Sequence, residues 1–478
     1  MSTNKIYNKL IAGIFCITPC VLSSCDSWLD VTPDDRISET VVFDDQQGYQ
    51  KLLNGLYSGM TNTNLYGRNL SAGAIDVLAQ YYDTYSHSDV YYDLAKYDYA
   101  TNSSKSLISN IWGDAYSLIS NANTLIEGTE LADCPLSDRQ RKRMKGEALT
   151  VRAFLHFDLL RLYGPVPTDL SGRGIPYQTS AELTVQPFET GAQIVTKIKA
   201  DLTEAINLLK DCEPLLMPDQ YEASDVESRP YRMNYYAAKA VLARVYLWEG
   251  KKTEAYNTAV EVINEGSTDF PFVSEDDATG ANPDRLFTSE VLFGLYNTSR
   301  DRDLYNALFS SVLKNYERLY PAGTLASGHV QEWYDDQNDY RYRIWAVDQE
   351  NLYHQKFRSI DIDTRANYTV PLIRMGEMYL IAAECASSLD ESTTWLNTLR
   401  NHHNCFSAEV TSENLASYIE MEYRKELLGE GQMFFYMKRN ALETIPNGLK
   451  ETGTMSMELG DYVFPLPDGE TSMREGLN

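Results

Sequence analysis

Residues 236–265, YAAKAVLARVYLWEGKKTEAYNTAVEVINE, decide the fold class. Leu242, Ala243, Tyr246, Gly250, Ala255 and Ala259 set small and aromatic side chains at helical spacing on either side of a glycine. Alanines let two antiparallel helices approach closely, while Leu242 and Tyr246 fill the groove between them. The pattern predicts a helix, a turn near Gly250 and a second helix. A weaker echo runs from Met378 to Leu399, carried by Tyr379, Ala382, Ala383, Ala386 and Leu399. Further out, Leu107, Ile111, Ala115, Leu118, Ile119, Ala122, Leu125 and Ile126 repeat on one helix face. Ala148, Val151, Leu155, Leu159 and Leu162 do the same in a helix stopped by Gly164-Pro165. Ile194, Ile198, Leu202, Ala205 and Leu209 mark another.

The units match tetratricopeptide helix pairs but are not tandem, because long irregular stretches separate them. The expected fold is predominantly α, with tetratricopeptide-like helix pairs near 107–163, 194–265 and 372–440 as a scaffold and little β. Insertions near 64–102, 165–190, 211–232 and 266–345 are rich in Tyr, Asp, Asn, Gly and Pro. Binding function concentrates on such insertions when a rigid frame holds them. Those at 64–102 and 266–345 are expected to face a ligand. Residues 51–478 read as one helical domain, preceded by an acidic tether at 25–50.

The N-terminus decides the compartment. Lys5 and Lys9 precede the apolar run Leu10 to Leu22, which is too short to span a bilayer and reads as a signal-peptide core. It ends in Leu22-Ser23-Ser24-Cys25, similar to the bacterial lipobox, at which residues 1–24 are removed and Cys25 is lipidated. Several acyl chains anchor a protein stably without a spanning helix. No later segment has the ~20 apolar residues of a membrane span.

Composition excludes further classes. Lys+Arg 42 against Asp+Glu 68 gives a net charge of −26, and loss of Lys5 and Lys9 with the signal makes it −28. So acidic a surface repels polyphosphate, which argues against a nucleic-acid partner. Beyond Cys25 the mature chain keeps Cys134, Cys212, Cys385 and Cys405, widely spaced and without C-x-x-C, so zinc chemistry has no support. One disulfide stays open, with no pairing assignable. Tyr 34 against Phe 15 is unusual, because a buried tyrosine hydroxyl must find a partner. The excess suggests half-wet surfaces.

Several segments, in order along most of the mature chain, resemble the SusD/RagB family of surface nutrient-binding lipoproteins of Bacteroidetes-type bacteria. Cys25-Asp26-Ser27-Trp28-Leu29-Asp30 with Pro33 resembles its C-x-x-x-L-D-x-x-P, and Asn54-Gly55-Leu56-Tyr57 its N-G-x-Y. Residues 146–167, GEALTVRAFLHFDLLRLYGPVP, are similar to its alanine- and aromatic-rich helix ending in Y/F-G-x-x-P. Residues 235–260 resemble A-x-x-x-L-A-R-x-Y-L…G, and 372–384, LIRMGEMYLIAAE, resemble R-x-A-E-x-Y-L-x-x-A-E. Tyr423 to Lys438 is similar to E-R-x-x-E-x-x-x-E-G, and Phe464-Pro465-Leu466-Pro467 to F-P-I-P. Tyr423 stands where arginine is usual, Tyr436 where aspartate is common and Asn440 where tryptophan is common. The resemblance implies a SusD-like helical fold and lipid anchoring to the outer membrane, facing the cell surface. It implies a partner, a SusC-like TonB-dependent transporter, to which a captured glycan, or in some branches an oligopeptide, is delivered. No catalysis and no cofactor are implied.

Residues 81–99, YYDTYSHSDVYYDLAKYDY, hold seven tyrosines interleaved with aspartates. Sugar binding needs flat apolar faces for the C–H side of a pyranose and short polar groups for its hydroxyls, and tyrosine with aspartate supplies both. Tyr81, Tyr82, Tyr85, Tyr91, Tyr92, Asp83 and Asp89 are therefore candidate ligand contacts, set against packing of about half these rings beneath the loop. A second aromatic group runs from Tyr296 through Tyr305, Tyr316 and Tyr320. Tyr305 and Tyr316 are its candidates, although a helix face could make Tyr305, Leu308 and Val312 core. Asp339-x-Arg341 reads as a structural ion pair. His402-His403-x-Cys405 lacks further metal ligands at helical spacing and reads as a surface or helix-end feature. Asp335-Asp336-Gln337-Asn338-Asp339 lacks the glycine and terminal glutamate of a calcium loop, which leaves a structural calcium open and unsupported. Carboxylate pairs such as Glu420/Glu422 and Asp276/Asp277 would suit a surface glycosidase, but adjacency in sequence does not set two carboxyls across a sugar. No hydrolase, metalloprotease, P-loop or dinucleotide motif is present. The leading expectation is a glycan-binding lipoprotein; the alternatives are oligopeptide capture and a glycosidase.

Overall fold

The computed structural model describes residues 43–84, 90–182, 184–314, 317–348 and 351–474. The signal peptide, Cys25, and the candidates Tyr85, Asp89 and Tyr316 lie outside the described residues. The expected tether ends earlier than residue 50. Asp45 caps helix α1 (Gln46–Met60) by accepting from the Gly48 amide, and Tyr49 is already core, its hydroxyl donating to the Gly128 carbonyl at 2.7 Å.

Helices follow the apolar periodicity closely. Helix α2 (Asn102–Thr129) buries all eight residues of the predicted face, from Leu107 to Ile126. Helix α3 (Asp138–Tyr163) starts at a Ser137/Gln140 capping box and stops at Gly164, as the Gly-Pro pair predicts. Helix α4 (Gly191–Lys210) starts at a second capping box, Thr190/Gln193. Helices α5 (Tyr235–Trp248) and α6 (Lys252–Gly266) form the pair read from 236–265, and Gly250 supplies the left-handed turn at φ +76°. Helix α7 (Met375–Cys385) and helix α8 (Leu389–His402) form the second pair, followed by α9 (Leu415–Glu426) and α10 (Met433–Arg439).

From α1 to α8 each helix packs on the next, so the pairs form one continuous stack. The stack does not break at the longest insertion. Helix α6 packs directly on α7, although more than a hundred residues separate them. That insertion leaves and returns through an antiparallel ribbon of β1 (Val291–Tyr296) and β2 (Thr369–Arg374), Tyr296 opposite Thr369 and Val291 opposite Arg374. Among the described residues strand content is otherwise confined to two- to four-residue hairpins, so the chain is predominantly α, as expected.

Helix α3 lies at the centre, with every residue from Gly146 to Tyr163 buried. Its apolar side chains each contribute roughly 1.5–3 kcal/mol by leaving water, and its polar ones are partnered. Arg152 binds Asp201 through Nε and Nη2 at 2.7 and 2.6 Å. His156 stacks on Tyr177 at 3.9 Å, and burial pushes its imidazole down to about 3, so it is neutral. A second polar core surrounds α9. Arg341 joins Asp339, Glu422 and Glu426 at 2.7–2.9 Å, Arg374 joins Glu426 and Glu430, and Arg400 and Lys425 share Asp335 and Glu422. The Asp339-x-Arg341 ion pair is therefore as expected. Tyr423 and Tyr436, both departures from the family pattern, pack against each other at 4.7 Å.

Candidate functional site

The C-terminal half of α1, the turn entering α5 and the end of β1 meet around a cleft of about 540 Å³. Helix α1 contributes Asn54, Tyr57 and Ser58, and its cap contributes Thr61. The turn supplies Ser228, Tyr231 and Arg232, while Tyr296, Asn297, Thr298, Ser299 and Asp303 come from the β1 end and the turn after it. Tyr296 is 49% exposed, one of few large apolar side chains left open. Tyr231 meets it edge-on at 5.6 Å and 86°, and Tyr368 lies against it at 5.1 Å. The Tyr231 hydroxyl shares a 2.9 Å hydrogen bond with Thr369 Oγ1, which fixes the ring.

Polar groups surround this apolar platform. The Asn297 side-chain oxygen Oδ1 accepts from the Ser299 amide at 2.9 Å, while its Nδ2 is buried with no partner. A buried donor without an acceptor is costly, so a ligand oxygen there would be stabilised. Arg232 lies over the Tyr57 ring, 4.7 Å from the centroid, and donates to Asn54 Oδ1 at 2.7 Å. Asp303 is held by Arg302 at 2.6 and 2.8 Å, which lowers its carboxyl below the usual range.

Beneath the cleft lies a buried ion triad. Arg229 bridges Glu147 at 2.6 Å and Glu213 at 2.6 and 2.9 Å. Burial would raise the Glu147 carboxyl, but the Arg229 and Arg232 charges and the Tyr57 hydroxyl outweigh it and hold it low. A larger depression, about 820 Å³, opens on α4 and reaches Tyr246 of α5. Its lysines are engaged, Lys142 with Asp211 and Lys199 with Glu249, and Tyr246 is its one aromatic residue. The smaller cleft has the more ligand-ready chemistry.

The tyrosine-rich stretch is placed differently from the expectation. Tyr81, Tyr82 and Tyr91 are buried, with hydroxyls paired to the Arg424 carbonyl, His354 Nε2 and Asn69 Oδ1 at 2.8–2.9 Å. Enclosed rings offer no face to a ligand, which corrects that part of the reading. Tyr92 is half-buried, with the Lys96 ammonium 3.4 Å from its ring centroid. Asp83 is half-buried, and burial pushes its carboxyl up to about 6. Its amide donates to the Tyr320 carbonyl at 2.8 Å, which joins the two aromatic insertions. Tyr305 and Leu308 are core, whereas Val312 is 86% exposed. None of these lines the cleft. Of its aromatic residues Tyr296 belongs to the second aromatic group, Tyr231 lies in the noted 211–232 insertion, and Tyr57 stands in the N-G-x-Y motif without being a candidate ligand contact.

The acidic and histidine motifs serve the interior. Asp335 binds Arg400 and Lys425, and Asp336 accepts from the Asn338 and Phe406 amides. Glu422 is buried among Arg341, Arg400 and Lys425. His403 caps α8 and is fully buried rather than at the surface, with Glu290 and Glu426 close enough to share an ion. Arg374 already binds both carboxylates, so a cation there would face a guanidinium. Among the described residues Cys134, Cys212, Cys385 and Cys405 are free thiols, and no helix is long and apolar enough to cross a membrane.

Comparison with known proteins agrees with this architecture. The model described as "Starch-binding associating with outer membrane" matches residues 27–247, and the model of the SusD family matches 297–478. The chain belongs to the SusD/RagB family, a family of sugar-binding proteins associated with the outer membrane. It is 23% identical to SusD-like protein P38 of Formosa agariphila, across 91% of this chain and 92% of that protein. A SusD superfamily protein of Bacteroides thetaiotaomicron shares the fold at TM-score 0.73 and 23% identity, covering 90% of this chain and 98% of that one. A SusD-like carbohydrate binding protein of Bacteroides vulgatus does so at TM-score 0.70 and 19% identity, covering 90% and 96%.

Proposed function

We propose that this protein captures a glycan in the Tyr57–Tyr231–Tyr296 cleft and delivers it, without catalysis, to a TonB-dependent outer-membrane transporter. In this reading residues 1–24 are removed, Cys25 carries the lipid that anchors the chain, and the domain faces the cell surface. The observation that carries the site is the exposed Tyr296 ring with Tyr231 at its edge, flanked by the unpartnered Asn297 amide. Aromatic faces hold the apolar side of a pyranose, and the short polar groups around them meet its hydroxyls.

Titration calorimetry against a glycan panel tests the site. Tyr296→Ala should weaken the bound glycan by at least about tenfold, and unchanged affinity would remove the cleft from the reading. Incubation with the same glycan should release no reducing sugar. Co-purification of the transporter from solubilised outer membranes should follow the Cys25 protein, and fail if the delivery reading is wrong. Retention of a cationic peptide pool with no glycan bound would favour oligopeptide capture instead.

A further inference from the structure

Resting on the cleft as the glycan site, we infer that the saccharide it holds carries an anionic group, a carboxylate or a sulfate ester, received by Arg232. The lining contains one arginine and one carboxylate, and the two are in different states. Asp303 is bonded through both oxygens to Arg302, and Arg68 adds a second positive charge nearby. It does not present a bare negative charge to an incoming ligand. Among the described residues no carboxylate forms an ion pair with Arg232, whose partners are the Tyr57 ring and the Asn54 carbonyl oxygen.

Neighbouring arginines behave otherwise. Arg229 has Glu147 and Glu213, Arg302 has Asp303, and Arg365 has Glu227. Arg300, next to the lining residue Ser299, also lacks a carboxylate and bonds carbonyl and hydroxyl oxygens instead, so what sets Arg232 apart is its place in the cleft wall. A counter-charge that Arg232 does feel is Glu147 of the buried triad, whose two glutamates exceed its one arginine. Both oxygens of Glu147 are engaged there, one by Arg229 and one by the Tyr57 hydroxyl, and the Tyr57 ring carries Arg232 on its face. That charge holds Arg232 at the cleft without occupying its fork. Stacking and the Asn54 bond fix the guanidinium plane, and a fixed fork matches two oxygens of a carboxylate or sulfate.

The same electrostatics limit the ligand. A chain at −26 repels a dense polyanion at long range. One open guanidinium beside neutral aromatic rings suits a glycan with widely spaced acidic residues, most of whose sugars are uncharged.

The test compares acidic oligosaccharides with their uncharged twins. The probes are a glucuronoxylan oligosaccharide with a single glucuronate and its carboxyl-reduced form, and a sparsely sulfated galactan oligosaccharide and its desulfated form. The expected result is an acidic member bound at least about tenfold tighter than its twin, with Arg232→Gln narrowing that gap to about twofold and Arg232→Lys keeping part of it. Tyr296→Ala should weaken both twins alike. Which pairs show the gap separates carboxylate from sulfate. Equal binding of twins, or retention of neutral glycans alone while Tyr296→Ala still abolishes it, overturns the anionic class and leaves the cleft standing. No binding of any member, or binding indifferent to Tyr296→Ala, overturns the cleft reading and this inference with it. The comparison of twins on the unaltered protein needs no variant to fold.

Discussion

The Tyr57 hydroxyl donates to Glu147 Oε2 at 2.7 Å and accepts from the Met233 amide at 2.9 Å. One atom thereby ties the floor of the cleft to the buried triad and to the start of α5. Tyr57→Phe removes both bonds at a buried position, leaving a carboxylate oxygen and an amide short of a partner. The expected loss is about 1–3 kcal/mol of unfolding free energy, read from urea denaturation at neutral pH. A loss below about 0.5 kcal/mol would show that water replaces the hydroxyl.

Asn297 gives the opposite expectation. Its Nδ2 has no partner to lose and its Oδ1 gives up only the bond from the Ser299 amide, so Asn297→Ala should cost about 1 kcal/mol in stability yet lower glycan affinity roughly tenfold. A variant that loses stability and keeps affinity would assign this side chain to the fold alone.

Arg341 stands between Asp339, Glu422 and Glu426, all buried. Arg341→Met leaves that acidic group short of one cation, and the expected cost is about 3–5 kcal/mol. Chemical denaturation at pH 7 measures it.

The dependence of stability on pH has two limbs. Burial raises the Asp76 carboxyl from 3.8 to about 8 and that of Glu290 from 4.5 to about 7. The native state then holds protons that the unfolded chain releases above about pH 4, so stability should fall as pH rises from about 4–5 toward 8 and level off beyond. Glu422 runs the other way: burial would raise it, but Arg341, Lys425 and Arg400 hold it at about 2. Its contribution is complete above about pH 4.5 and is lost as pH falls toward 2. Buried His156 and His354, both pushed down to about 3, work against the decline set by Asp76 and Glu290 below about pH 6.5. Urea midpoints should therefore fall between about pH 6.5 and 8, where Asp76→Asn should flatten the decline. A midpoint that rises over that interval contradicts the assignment.

Two glycines separate backbone strain from crowding. Gly250 has φ +76° with nothing within 4 Å of a placed Cβ, so Gly250→Ala should cost only about 1–2 kcal/mol. Gly431 has φ +68° and a placed Cβ only 2.4 Å from the Leu70 carbonyl oxygen, and its amide bonds Asp76. Gly431→Ala should cost clearly more, measured as the difference between the two unfolding free energies.

Much of the fold was legible because helical periodicity is a local signal. The apolar faces of α2, α3 and α4 and the small residues of α5 and α6 lie in the sequence at the spacing their packing requires. The site was less legible, because residue type does not state burial. Tyr81 and Tyr82 satisfy their hydroxyls at Arg424 and His354, 343 and 272 residues away. No spacing along the chain foretells such a partner, and an aspartate-rich tyrosine run therefore looked wetter than it is. The cleft draws on three distant segments, each contributing a few ordinary residues. Tyr296, at the head of the second aromatic group, the Tyr231-containing insertion and the Asn54–Tyr57 motif fall on it, but none of them is among the candidate ligand contacts.

Gly266 closes α6 and Met375 opens α7, and a Cβ placed on the glycine would lie 3.5 Å from the Met375 methyl carbon. The chain thus departs and returns at almost one point, with the intervening residues hung between like a cassette between two clamps. Its inner residues Asp335 and Arg341 are ion-paired to α8 and α9. It is the outer loops beyond these anchors that can be lengthened, shortened or exchanged without shifting a helix of the stack. Variation in those outer loops is thereby kept apart from the residues on which folding depends.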